Sequence, residues 1–256
     1  NNILTEYKLP HLPGSSDLYT FNQALLLASP NSWNPRPIFQ SYSSYNSTLL
    51  QLNQQHIIDD FKAPDNIFLK LESIDLRMPT MEDGASWPII LKYYDLTDDY
   101  KDYLIFKRKI NNKIDYNIYN NLLLSEIHYL NENIILPSVN YPLFITLDIK
   151  TSILGNFANL LFKNSPLFII IELNNGSIYR YRIIPSMTET GFIISPLIRN
   201  TLDLKYFIND EIMLISDLRV KAITITPVIA EMKSFYLSKI VNFFWKESFT
   251  MNLYKL

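Results

Sequence analysis

Short strand-like runs, separated by turn signals, fill the second half of this chain and constrain its fold more than any other feature. Few helical patterns interrupt them, and residues 203–207 form the clearest one. The sequence Asn174-Asn175-Gly176 between two runs is a two-residue hairpin signal. Many short strands at this spacing favour a β-sandwich of the jelly-roll type. The runs cover residues 133–136, 143–150, 167–173, 177–184, 191–195, 222–227 and 249–256.

The first part of the chain mixes helical and strand-like patterns. Residues 47–61 repeat apolar side chains near the 3.6-residue period, with Ser47 as the candidate cap. Residues 87–94 follow Ser86 and carry Pro88 in the first turn, which predicts a second helix. Strands are predicted at 66–71 and 100–108, an extended segment at 37–42, and either strand or helix at 17–28.

This order of elements predicts a small βαβα unit with a partly parallel sheet. We therefore predict an α+β protein of two domains. An α/β domain at residues 1–112 packs on a β-sandwich domain at residues 113–256.

Composition indicates an ordered protein that does not bind nucleic acid. Hydrophobic residues make up 48% of the 256 residues and aromatic residues 14%, which is enough for a sizeable core. The net charge is −2 at pH 7. Because no basic surplus is present to neutralise phosphates, we exclude nucleic acid as a partner.

Several kinds of chemistry have no signature in the sequence. Without cysteine, the chain has no disulfides, no thiolate catalysis and no cysteine–zinc site. His11, His56 and His128 lie far apart and lack the spacing of metal ligands. A P-loop, a glycine-rich dinucleotide fingerprint and a nucleophile elbow are also missing. We predict no metal, no cofactor and no catalytic residue.

Membrane and leader signals are also missing from the printed sequence. The most apolar windows, within residues 151–171, are interrupted by Lys163 and are too short to span a bilayer. Residues 1–6 have neither the basic nor the apolar region of a signal peptide. We expect that further chain precedes Asn1.

The first candidate site follows two prolines that bracket Arg36 and fix an extended backbone. Arg36, Gln40, Tyr42 and Tyr45 could bind a sugar or an anion, because guanidinium and amide groups bind hydroxyls and aromatic faces stack on sugar rings. The alternative is that Arg36 pairs with a buried carboxylate at a domain interface while the tyrosines pack.

The second candidate site lies between the predicted strand at 66–71 and the helix at 87–94. Asp75, Arg77, Glu82 and Asp83 could do acid–base work or hold a divalent cation. Alternatively, they form a salt-bridged loop and a solvated turn. Trp87 is either a sugar platform or a lid on the core.

If both candidate sites follow strands of one sheet, their side chains should converge at the carboxyl end of that sheet, where open α/β sheets place ligands. Arg36 and Asp75 would then reach one hydroxylated ligand. The predicted ligand-binding residues are Arg36, Gln40, Tyr42, Tyr45, Asp75, Arg77, Glu82, Asp83 and Trp87.

Five stretches of the sequence also carry a family resemblance. They are PRPIFQSYSSY, LNQQHI, APDNIFLKLESIDLRMPTMEDGASWPIIL, GNFANLLFKNSPLFIIIELNNGSIYRYRIIPSM and GFIISPLI. Over residues 17–225 the chain resembles the soluble C-terminal portion of a largely uncharacterised family of bacterial polytopic inner-membrane proteins, similar to lipid-linked glycosyltransferases. The resemblance implies a periplasmic location, tethered by membrane helices that would be the chain's first partner. It implies no reaction and no catalytic residue.

Three functions are consistent with these observations. The first is an extracytoplasmic recognition or accessory domain of a membrane-embedded glycan-handling protein, which binds an envelope saccharide or a lipid-linked intermediate. The second is a catalytic part of a lipid-linked glycosyltransferase, which contributes carboxylates such as Asp75, Glu82 or Asp83. The third is a structural module that docks a periplasmic partner.

Overall fold

A computed structural model describes residues 8–19, 21–110, 116–159, 166–211, 216–227 and 244–256. Within these ranges, thirteen strands form three sheets and are accompanied by six α-helices. The predicted α+β fold with a β-sandwich is confirmed. In the same ranges, no helix combines the length and the apolar character needed to cross a bilayer.

The first sheet belongs to the N-terminal part and is partly parallel, as predicted. Its strand order is β2-β1-β3-β5-β4. β1 pairs in parallel with both β2 and β3, whereas β5 pairs antiparallel with β3 and β4. The strands are β1 (Ser15–Tyr19), β2 (Ser32–Trp33), β3 (Asn66–Leu69), β4 (Tyr94–Tyr100) and β5 (Tyr103–Arg108). The helices of this part are α1 (Gln23–Leu27), α2 (Ser47–Ile58) and α3 (Trp87–Tyr93).

The other two sheets have four strands each, in the orders β10-β9-β12-β7 and β11-β8-β13-β6. All their strand pairs are antiparallel. The strands are β6 (Leu122–Tyr129), β7 (Ile134–Ile135), β8 (Leu143–Asp148), β9 (Leu167–Leu173), β10 (Ile178–Ile183), β11 (Phe192–Ser195), β12 (Val220–Pro227) and β13 (Ser248–Lys255). Three helices lie between them: α4 (Ile153–Asn159), α5 (Pro185–Thr188) and α6 (Thr201–Ile208).

The pairing of these eight strands defines a jelly roll. The first strand pairs with the last, β6 with β13, and the next pairs inward are β7 with β12, β8 with β11 and β9 with β10. Four nested antiparallel pairs, distributed alternately over two sheets, are the arrangement of an eight-stranded jelly roll. The β9–β10 hairpin closes through a three-residue loop, one residue longer than predicted, with Gly176 at φ 85°.

The core of the sandwich is a hydrophobic cluster that draws on both sheets, as expected for sheets packed face to face. In β9, Leu167, Ile169, Ile171 and Leu173 are buried, whereas the residues between them are half-buried. The continuous apolar sequence of β9 is compatible with burial on both faces, but one face of this sheet is only partly covered.

A second hydrophobic cluster joins the two parts of the chain. Trp87 and Phe106 belong to it from the first part, and Phe144, Ile193 and Leu204 from the second. Gly84 marks a close backbone approach between the two parts, since a Cβ built there would lie 2.0 Å from the carbonyl oxygen of Gly191. The proposed division at residue 112 stays a prediction.

Several local predictions need correction. Asn46, not Ser47, caps α2, and its side chain accepts the Leu49 amide. Residues 17–28 contain both predicted structures in sequence, the end of β1 and then α1. Residues 37–42 are not a strand but a loop that leads into a 3-10 turn. No strand was predicted at β4 or β6. Both are edge strands with mostly exposed side chains, so their sequences lack the apolar pattern that burial produces.

Candidate functional site

Arg36 lies in the interior rather than on a binding surface, with 1% of its area exposed. Its guanidinium forms ion pairs with Asp17 at 2.7 Å and with Asp83 at 3.2 Å. It also stacks on the ring of Tyr19, 3.6 Å from the centroid, and donates to the Ser41 hydroxyl. This is the buried carboxylate pairing of the alternative interpretation, although both carboxylates belong to the N-terminal part of the chain.

Asp83 completes this buried network from the turn before α3. Its backbone is left-handed at φ 56°, and its carboxylate accepts hydrogen bonds from Asn53 and Ser86. Burial raises the pKa of the Asp83 carboxyl above its usual range, and the neighbouring Arg36 guanidinium offsets only part of that rise. The network therefore ties β1, α2 and α3 to the segment after β2.

Arg77 forms the centre of a second group, on a loop that follows β3. Its guanidinium donates to the Tyr42 carbonyl at 3.0 Å and to the Tyr45 hydroxyl at 3.3 Å. Asp75 lies 3.7 Å away and is largely exposed. The loop also pairs with the edge of the sandwich, because the Met78 amide donates to the Arg182 carbonyl. Arg77 therefore holds together the loops that carry both predicted sites.

Glu82 is a buried carboxyl beside this group. It accepts a hydrogen bond from the Ile74 amide at 3.4 Å, and one of its oxygens lies 3.9 Å from Arg77. Burial raises the pKa of Glu82 to about 7, and the Ile74 amide and the Arg77 charge oppose this rise.

The structure brings the predicted residues together in two groups instead of one open site. Arg36 and Asp83 share the buried network, and Tyr42, Tyr45, Asp75, Arg77 and Glu82 lie around the loop after β3. Trp87 is buried in the cluster between the two parts, as the core-lid alternative predicted. The Gln40 carbonyl accepts the Ser43 amide in a turn. A ligand-binding role for any of the nine residues stays a prediction.

A pocket of about 420 Å³ opens elsewhere, at one end of the sandwich. The strand ends there are held together because the Leu197 amide donates to the Leu218 carbonyl and the Val220 amide donates to the Ser195 hydroxyl. The pocket is lined by the residues before β8, the residue after β11, the end of α6 and the residue before β12, namely Asn140, Tyr141, Pro142, Pro196, Phe207, Asp210 and Arg219.

The lining of this end pocket combines aromatic and hydrogen-bonding groups. Tyr141 and Phe207 are half-buried and contribute ring surface. Arg219 is fixed by donating to the carbonyls of Val139 and Asn140. Because a guanidinium has five N–H donors, these two bonds leave others for a ligand. A pocket of this size, with a few convergent polar groups, is typical of small-molecule sites.

Asp210 is the residue of this pocket that the local structure explains least. It follows α6 with a left-handed backbone at φ 53°, a position that glycine or asparagine usually occupies. A negative charge there also lies at the negative end of the helix dipole. Within the described ranges, its carboxylate has no ion-pair partner. Residues at functional positions often depart from the local structural preference in this way.

The sequence interpretation did not single out the residues of this pocket. They come from four separate segments and form no motif, so only the tertiary structure brings them together. One signal was present, since Asp210 stands shortly after the predicted helix at 203–207, where glycine or asparagine is the common choice. None of the nine predicted site residues lines the end pocket.

The fold and the pocket define a class: an α+β protein in which a jelly roll carries a pocket at one end of its sandwich. Comparison with protein-family models, with curated proteins and with solved structures found no match to this chain.

Proposed function

We propose that this chain is a saccharide-recognition domain that binds its ligand in the end pocket. The observation that carries the proposal is the convergence of two aromatic side chains with Asn140, Asp210 and Arg219 around one cavity. Aromatic faces pack on the C–H face of a sugar ring, while carboxylate, amide and guanidinium groups bind its hydroxyls.

The cellular setting of the proposal comes from the sequence resemblance. In that setting, the domain lies on the periplasmic face of the inner membrane and serves a membrane-embedded glycan-handling protein. The saccharide would then be an envelope glycan or a lipid-linked intermediate.

The burial of two carboxylates weighs against the catalytic alternative. Glu82 has no exposed area and Asp83 only 1%, so neither reaches a ligand without rearrangement of the loop. Asp75 is exposed but lies near two arginines, 3.7 Å from Arg77 and 3.8 Å from Arg182. The end pocket does not favour the third alternative, a module that docks a periplasmic partner.

Titration calorimetry against a panel of envelope oligosaccharides tests the proposal. We expect at least one glycan to bind, and Tyr141→Ala to weaken that binding about tenfold or more, which corresponds to ~1.4 kcal/mol. Tyr129→Ala is the matched control, because Tyr129 is exposed on β6 at the other end of the sandwich. Absence of binding to every glycan, or equal losses in both variants, would contradict the proposal.

A further inference from the structure

A second, smaller pocket of about 130 Å³ adjoins the end pocket. Arg219 lines both of them. Two neighbouring pairs of residues are divided between the pockets, since Val139 and Ser195 line the small one and Asn140 and Pro196 the large one. The two cavities therefore meet at Arg219, and we call them together the groove.

The small pocket is too small to bind a typical small molecule by itself, so we consider it as an extension of the large one. Its volume is below the ~300 Å³ at which small-molecule pockets usually begin. Its lining has no aromatic ring: five of its ten residues are apolar, and Ser138, Asn174 and Lys221 offer hydroxyl, amide and ammonium groups. We therefore consider it together with the large pocket and not as a separate site.

Arg219 is placed to contact a ligand on both sides. The Val139 and Asn140 carbonyls hold its guanidinium at the boundary between the pockets. Asn174, which also lines the small pocket, donates its backbone amide to the Arg219 carbonyl, and this bond fixes the main chain as well. A planar fork held in this way can bind hydroxyls of two neighbouring groups at once.

The charges along the groove nearly balance. Among the described residues that line the two pockets, Arg219 and Lys221 are the cations and Asp210 is the carboxylate. Beside them, Glu172 pairs with Lys221 at 2.6 Å, and the Lys255 ammonium lies 4.8 Å from the centroid of the Tyr141 ring. These three cations and two carboxylates leave one net positive charge, too little to neutralise a pyrophosphate group.

We propose that the groove binds a neutral, linear oligosaccharide of at least two linked rings, with Arg219 between the two subsites. This inference rests on the proposed saccharide function and makes it specific. The ring in the large pocket packs on Tyr141 and Phe207, and the next ring binds Ser138, Asn174 and Lys221 through its hydroxyls. Between an envelope glycan and a sugar carried on a lipid through pyrophosphate, the balance of charge favours the glycan.

Titration of the whole chain with sugars of increasing length tests this inference. The probes are one to four linked rings of glucose, mannose and N-acetylglucosamine, with inorganic pyrophosphate as competitor. In the series that binds, we expect affinity to rise about tenfold or more from one ring to the longer sugars. Pyrophosphate at millimolar concentration should not compete.

A variant that fills the small pocket separates the two subsites. Ser138→Phe should remove the gain from added rings and leave binding of the single ring within about twofold. The control is Ser248→Phe, since Ser248 is likewise exposed but lies at the start of β13, at the other end of the sandwich. Thermal melts of both variants check that they are folded.

The outcomes distinguish this inference from the function on which it rests. If a single ring binds as tightly as the longer sugars, or if pyrophosphate competes, the ligand is not a neutral oligosaccharide that spans both pockets. The proposed saccharide function would still hold. If Ser138→Phe leaves the length dependence intact, the small pocket is not the second subsite. If no sugar of any length binds, both proposals fail.

Discussion

Arg36 shows how a single charged residue organises the N-terminal part of the chain. Its guanidinium lies between two buried carboxylates, Asp17 and Asp83, so its removal leaves negative charges in the interior without a partner. We expect Arg36→Met to lower the free energy of unfolding by ~3–5 kcal/mol, measured by urea denaturation.

The control for Arg36 is an ion pair at the surface. Lys62 pairs with Asp59 at 3.1 Å, and the Lys62 side chain is mostly exposed. Lys62→Met should change the free energy of unfolding by less than ~1 kcal/mol, because exposed pairs are screened by water. A similarly small change in Arg36→Met would mean that Arg36 does not stabilise the fold, and its role as a binding residue would gain support.

Glu82 should make stability depend on pH. Its pKa is about 7 in the folded chain, above the usual value of 4.5 for a glutamate, because burial disfavours the charged form. The folded state therefore holds this proton more tightly than the unfolded state. Stability should fall as pH rises from 4.5 through 7 and level off above that, by at most ~3 kcal/mol from this group.

The variant Glu82→Gln isolates that contribution. It keeps the shape of the side chain and cannot ionise, so it should match the wild type near pH 5 and be the more stable protein at pH 8. Urea denaturation from pH 5 to 8 measures both. Parallel pH profiles of the two proteins would show that Glu82 ionises normally or that the loop opens to water.

At the scale of elements, β9 tests how the sandwich is covered. Ile169 is fully buried in the core between the sheets, whereas Ile170 is half-buried on the outer face. Ile169→Ala should cost ~2–5 kcal/mol of unfolding free energy, and Ile170→Ala less than half as much. The pair is matched in residue type and strand and differs in the face of the sheet. Equal losses in denaturant melts would indicate that the outer face is covered as well.

At the scale of the whole molecule, Gly84 controls how closely the two parts of the chain approach. A methyl group at this position would meet the Gly191 carbonyl, and backbone cannot move aside as a flexible side chain can. We expect Gly84→Ala to cost ~3 kcal/mol or more through this overlap. Thermal and urea melts measure the loss.

Gly176→Ala is the comparison, because it places the same methyl group in open space. No atom lies within 4 Å of that position, so only the left-handed backbone resists the change, at a cost of ~1–2 kcal/mol. If Gly84→Ala were no more harmful than Gly176→Ala, the two parts would be loosely joined.

The sequence by itself determined the elements that bury a continuous or regularly spaced set of apolar side chains. Apolar runs and turn residues predicted seven of the eight sandwich strands, and β6 escaped because it is an edge strand with mostly exposed side chains. The helical period predicted α2 and α6. The sequence also singled out two charged residues, Arg36 and Arg77, because each lies in an unusual local sequence.

Only the tertiary structure decided what those charges do and where a ligand could bind. Whether Arg36 faces solvent or two carboxylates depends on Asp17 and Asp83, which are distant in sequence and adjacent only after β1 and α3 pack. The end pocket likewise needs four chain segments that meet when the nested strand pairs close. Local pattern records burial and backbone preference, whereas a site is a set of distances between distant residues, and the folding of the whole chain sets those distances.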